Sequence, residues 1–257
     1  MTDESQRRDA VGADGKTDVR DITLGNADPA DYSAADIGPV EDASLDSLKE
    51  MLDSQDAPTR RRAALALARR EPPDAIRDKL ADLARTDSDD QVRQFAIEAL
   101  GKLDGDPTVA IDVLETDGDP WVRAEAAVTL DRLAREQYSD RFEAMLYDDH
   151  EGVRRNALIS LTRIKGSDVR EHLFDALDDP SDRVREWAVK LMGQYDDDSV
   201  VEDALTALLE DEAETEIVRE TAARSLGARG TDVEELLEEG TGTASADNHM
   251  LNQVPDR

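Results

Sequence analysis

The dipeptide Val-Arg recurs at 92/93, 122/123, 153/154, 184/185 and 218/219, and this spacing restricts the possible folds more than any other feature of the chain. The arginines stand 30, 31, 31 and 34 residues apart, and Arg60, after Thr59, adds an earlier copy 33 residues before Arg93. Further columns hold the register. Three residues after each arginine comes an alanine: Ala63, Ala96, Ala126, Ala157, Ala188 and Ala222. Seven residues after it comes a large aliphatic side chain: Leu67, Leu100, Leu130, Leu161, Met192 and Leu226. Six residues before it, Asp87, Asp117, Asp148 and Asp179 fill the same place in the middle copies.

Offsets −1, +3, +4 and +7 from the arginine share one face of a helix with 3.6 residues per turn, the stripe that has to be buried. Each copy therefore predicts an amphipathic B helix, over 57–70, 89–103, 119–136, 150–165, 182–195 and 214–228. Alanine at +3 permits close approach of a neighbour, and the large residue at +7 fills the space beside it. A shorter apolar segment precedes each B helix, and it predicts an A helix through Leu45/Leu48/Leu52, Ile76/Leu80/Leu83, Ile111/Leu114, Phe142/Leu146, Leu173/Leu177 and Leu205/Leu208. Ser44, Pro73, Pro107, Ser139, Asp168 and Ser199 supply cap or first-turn residues at their starts. A helix pair this short cannot bury its stripe alone, so the copies have to stack.

The pattern D-x-D/x-x-x-V-R-x-x-A-x-x-x-L-G, read from Asp87 to Gly101 and from Asp179 to Gly193, resembles HEAT repeats. The short unit resembles the subtype known from phycobilisome lyases. The resemblance implies an all-α fold, a right-handed α-solenoid of about six helix pairs over 44–239. It also implies that the turn aspartate and the B-helix arginine form a ladder between consecutive repeats. The last unit has Ala213 where the aspartate is due, which predicts a looser rung there. Residues 1–43 and 240–257 lack the stripe and read as disordered acidic tails, with 231–239 as a closing helix through Val233, Leu236 and Leu237.

Acid dominates the composition, with 62 Asp plus Glu against 31 Lys plus Arg and a net charge of −31. The acids are mostly aspartate and the bases mostly arginine, with lysine only at 16, 49, 79, 102, 165 and 190. An Asp-rich, Lys-poor surface resembles that of proteins from salt-loving archaea, where concentrated salt screens self-repulsion. Such a surface opposes nucleic acid, whose binding relies on bases displacing counterions. With no cysteine, thiol catalysis, disulfides and thiolate metal sites are excluded. No apolar run long enough for a membrane span and no leader is visible, and the chain reads as a cytoplasmic monomer.

Catalytic constellations are missing as well. The HEAT-type deoxyhypusine hydroxylase builds a two-iron site from several His-Glu dipeptides, whereas this chain has His150-Glu151 alone. His150 reads as a turn or cap residue and His172 as a solvated one. Helical geometry instead selects a face for partners. Offsets +1, +2, +5 and +9 lie opposite the buried stripe. They carry Arg61, Arg62, Arg69, Lys102, Arg132, Arg155, Arg163, Lys190 and Arg224 against Glu98, Glu125, Glu186 and Glu220. Leu65, Phe95, Val128, Ile159 and Trp187 share these offsets, while Trp121, at the start of its helix, reads as core or cap. The expected partner site is Phe95, Lys102, Val128, Arg132, Arg155, Ile159, Arg163, Trp187 and Lys190, lining a concave groove that takes an acidic amphipathic segment of another protein. The reading is a non-enzymatic scaffold without cofactor or metal. The alternative is a phycobilisome-lyase-like lyase or maturation factor holding a chromophore or other small molecule in the same groove.

Overall fold

The computed structural model describes residues 40, 42–195, 199–231 and 233. The tails expected at 1–43 and 240–257 lie outside them, apart from a few residues before Ser44. So does the closing helix, apart from Thr231 and Val233. Among the described residues the chain is helical, with no strand. The A helices are α1 Leu45–Met51, α3 Asp74–Thr86, α5 Pro107–Thr116, α7 Ser139–Met145, α9 Arg170–Asp175 and α11 Ser199–Glu210. The B helices are α2 Ala57–Leu67, α4 Asp90–Lys102, α6 Pro120–Ala134, α8 Glu151–Lys165, α10 Asp182–Met192 and α12 Glu216–Ala228. This is an α-solenoid architecture. It divides into two compact units, one ending at Ala157 and the other beginning at Leu158, within α8.

Local chemistry starts these helices where the sequence places them. The carboxylates of Asp56, Asp89 and Asp119 accept the Thr59, Val92 and Val122 amides and cap α2, α4 and α6, each cap contributing about 1 kcal/mol. Pro107 and Pro120 occupy first turns, where no amide is needed. Asp168 opens no α-helix: residues Gly166–Val169 form a 3₁₀ turn, entered through Gly166 at φ +55°, and α9 starts at Arg170.

In the first unit α2 lies against α4 and α4 against α6, with α3 and α5 backing α4 and α6. In the second, α10 and α11 both pack on α12, and α9 packs on α10. The columns read from the sequence are the core: Ala63, Ala96, Ala126, Ala157, Ala188 and Ala222 are all 0% exposed. The large residues at +7 are at most 2% exposed, and burying such a side chain contributes about 1.5–3 kcal/mol. Two glycines mark the closest approach of B helices. A Cβ on Gly101 would stand 3.0 Å from Thr129 Oγ1, and one on Gly193 would stand 2.8 Å from Ser225 Oγ. Thr129 also donates to the Ile97 carbonyl at 3.1 Å, tying α6 to α4.

Candidate partner-binding face

A ladder of part-buried ion pairs fixes how one repeat meets the next. Arg60 donates Nε to Asp87 Oδ2 at 2.7 Å and Nη2 to Oδ1 at 2.6 Å, while its Nη1 donates to the Ser54 carbonyl. Arg93 repeats this with Asp117 at 2.6 and 2.9 Å, and Arg123 with Asp148 at 3.1 and 3.0 Å. In each rung the third nitrogen reaches the carbonyl six residues back, in the arginine's own turn. The carboxylate has a second task, since Asp87 Oδ1 accepts the Asp89 amide and Asp117 Oδ1 the Asp119 amide. One aspartate therefore shapes its turn and holds the preceding arginine.

The rung expected to be loose is tight. Glu214, one place after Ala213, reaches back with its longer side chain and binds Arg185 at 2.8 and 2.6 Å, and it accepts the Thr215 amide. Aligning on aspartate alone hid this substitution of one acid for another. Burial raises the pKa of Asp87, but the Arg60 guanidinium, the Asp89 amide and the neighbouring positive charges outweigh it and hold the carboxyl below its usual range. Asp148 behaves likewise, and Glu214 is lowered first by the Arg185 hydrogen bonds.

The face opposite the stripe differs from the expectation. Phe95 is 6% exposed and Trp187 8%, and Val128 and Ile159 are buried too. Arg155 is buried, its guanidinium near Asn156 Oδ1. A B helix in a stack is flanked on both sides by other B helices, so offset +2 is covered as well as the stripe. Apolar side chains at +5 fold onto those neighbours, while long charged ones extend to water. Lys102, Arg132 and Lys190 are exposed and Arg163 is half-buried. Lys102 pairs with Glu98 one turn back, and Lys190 lies 4.2 Å from the Trp187 ring centre, a cation–π contact. Arg69, Arg132 and Arg224 are exposed and make no ion pair among the described residues.

Glu125 sits at +2 on α6 with 4% exposure, and its carboxylate has no hydrogen bond among the described residues. Burial and the nearby Glu98 charge push its pKa well above the usual carboxylate range, against the opposing pull of Lys102. The sequence marked the residue but not its burial, which shows only in the company it keeps in its column: Phe95, Asn156 and Trp187.

The histidines have structural surroundings. His150 Nδ1 accepts the Gly152 amide at 3.2 Å, so it caps α8 as expected, and its ring meets the edge of Trp121 with centroids 4.7 Å apart. Burial lowers its pKa, which favours the neutral ring an Nδ1 acceptor requires. Trp121 is 36% exposed, not core. His172 is half-buried rather than solvated, and its buried Nδ1 has no hydrogen-bond partner among the described residues. Among the described residues no group of three or more His, Asp or Glu is placed to hold a metal ion, and no helix is long and apolar enough to cross a membrane.

Comparison with known proteins agrees with this architecture. The HEAT-repeat family model matches residues 45–116, 107–193 and 170–248. The Escherichia coli protein YibA is similar in structure, with a TM-score of 0.60 and 21% identity over 85% of this chain and 80% of its own. The CpcE–CpcF phycocyanin lyase complex of a Nostoc species matches at 0.50 and 20% identity, over 78% of this chain and 88% of that one. An archaeal HEAT-like repeat protein from Thermococcus onnurineus gives 0.46 and 14% identity, over 86% and 97%. No curated protein sequence matches. At these identities the likenesses to YibA and to the phycocyanin lyase complex speak for the fold, and the family model, spanning well over half the sequence, places the chain among the HEAT-repeat proteins.

Proposed function

We propose that the protein is a non-enzymatic scaffold that docks an acidic segment of another protein against its B helices. Arg69 and Arg132 carry this reading: they are exposed and make no ion pair among the described residues, in a chain with 62 acids and 31 bases. Surface bases surrounded by that much acid ordinarily find a carboxylate. Lys102 lies at the same offset between them in the series, and in the second unit Arg163, Lys190 and Arg224 occupy the corresponding inner offsets. Within the first unit Phe95 and Val128 are buried and unavailable as anchors, so binding there is dominated by the cations.

A synthetic amphipathic helix with a glutamate-rich face is a suitable probe. The triple variant Arg69→Glu, Lys102→Glu, Arg132→Glu is expected to bind it at least about tenfold more weakly, with circular dichroism unchanged. Equal affinity for native and reversed faces removes the proposal.

A further inference from the structure

Offset +2 is covered on both flanks, and the neighbouring copies carry side chains that suit burial there. Phe95 is apolar, and Asn156 donates its amide to the Ala124 carbonyl at 3.0 Å. Glu125 stands between them in the series, 4% exposed, and no group donates to it among the described residues. A carboxylate kept from water without a donor is costly. Its oxygens are nevertheless not among the sealed, partnerless side-chain atoms of the described residues, so the sliver of surface it keeps includes the carboxylate. The charges that act on it are those of Glu98 and Lys102, one turn apart on α4 and paired with each other. Other charges on the surrounding elements are engaged elsewhere. On α5, Asp112 and Glu115 hold Arg85 and Arg141, and after α6 Arg135 holds Asp131. Arg93 of α4 and Arg123 of α6 belong to the ladder, and Arg155 of α8 lies against Asn156 Oδ1.

We infer, resting on the docking reading above, that Lys102 and Glu125 form one subsite for a carboxylate of the docked segment, Lys102 supplying the charge and Glu125, in its acid form, the hydrogen-bond donor. Lys102 is exposed and tethered only to Glu98 one turn back, so its ammonium can meet an incoming anion. Burial and the Glu98 charge favour the protonated carboxyl, which has a proton to give and no acceptor within the chain. A hydrogen bond from that acid to an ionised carboxylate is charge-assisted and about twice as strong as one between neutral groups. Ionised Glu125 instead leaves three carboxylates, its own, that of Glu98 and the ligand's, around one ammonium. Docking therefore takes up a proton wherever the free site has lost it, and it tightens as the pH falls. Lysine and arginine alone would give no such dependence, because both stay charged below about pH 10. A basic ligand fits worse, since Lys102 already occupies the place beside the two acids.

Titrating the full chain, Glu125→Gln and Glu125→Leu with the glutamate-rich helix from about pH 5.5 to about pH 9 tests this, a range in which the probe stays ionised. Glutamine keeps the shape and a donor but cannot ionise, and leucine keeps neither donor nor charge. The native chain is expected to lose at least about tenfold more affinity across the range than Glu125→Gln, and to take up a proton, read from binding heats in buffers of different ionisation heat. The histidines titrate alike in all three proteins, so only the difference counts. At the alkaline end Glu125→Gln should bind about tenfold more tightly than Glu125→Leu, whose circular dichroism shows whether it is folded. Matching pH profiles of native and Glu125→Gln overturn the inference, and they leave the docking reading standing if the triple charge reversal still weakens binding. Equal binding by the glutamine and leucine variants overturns it as well, because repulsion alone then explains the pH effect. Affinity that rises with pH does the same, since ionised Glu125 then recruits a cation of the probe. A probe that binds none of the proteins at any pH removes both readings.

Discussion

The ladder edge and the inner face of the B helices are built from the same residue types to opposite ends. Along the edge, arginine and carboxylate meet in bidentate pairs whose side chains are 4–18% exposed, and one plan serves the rungs of Arg60, Arg93, Arg123 and Arg185. On the inner face no two repeats agree. Offset +2 is Arg62, Phe95, Glu125, Asn156, Trp187 or Thr221, and at +9 Lys102 pairs with Glu98 while Arg132 makes no ion pair among the described residues. What recurs is committed to holding repeats together, and what varies is free to be fitted to a partner.

The largest effect that separates the two regions is expected at a rung. Asp117→Ala strands the Arg93 guanidinium and also removes the acceptor of the Asp119 amide, so unfolding free energy should fall by roughly 3–5 kcal/mol. A loss under about 1 kcal/mol in denaturant titration would mean that packing of the alanine and leucine columns holds the repeats without the ladder.

A smaller contrast lies in pH. Asp87, Asp148 and Glu214 have lowered pKa values, so the stability they contribute is complete above the unfolded values of about 3.9–4.3 and is lost as the pH drops through the native ones. Glu125 has the opposite sign. Its raised pKa means that the folded state holds its proton more tightly, and stability is forfeited as the pH climbs above about 4.3. Glu125→Gln should therefore raise the thermal midpoint by a few degrees at neutral pH and leave it unaltered near pH 3. Thermal scans across that range check both, and a gain independent of pH would show that the carboxyl's charge is not what is being relieved.

The smallest effect belongs to the inner face. Arg132→Glu should change stability by no more than about 0.5 kcal/mol, because the side chain is exposed and pairs with nothing among the described residues. A larger loss would make Arg132 part of the framework and move it out of the proposed docking face.

The contrast also explains what could be read without coordinates. Val-Arg, alanine at +3 and the large residue at +7 are legible because one physical demand, burial between layers, acts on every copy alike. The rung at Arg185 was obscured because its acceptor moved by one residue and lengthened by one methylene, from the Ala213 position to Glu214. The +2 offset was misread because a helical wheel treats a helix as having one buried side, whereas a B helix in a row is covered on both flanks. Glu125 could not be recognised as a buried acid until its neighbours were known.

The pairing rule of the ladder bears on how such a chain changes length. The turns at Asp87, Asp117 and Asp148 each offer a carboxylate to the repeat before and a carbonyl to their own arginine. Removing the stretch between two equivalent turns would hand Arg60 to Asp117 in place of Asp87, with matching chemistry on both sides of the join. Growth and shortening by whole modules thus leave the joints unchanged, so evolution can set the extent of the proposed docking face independently of how the protein folds.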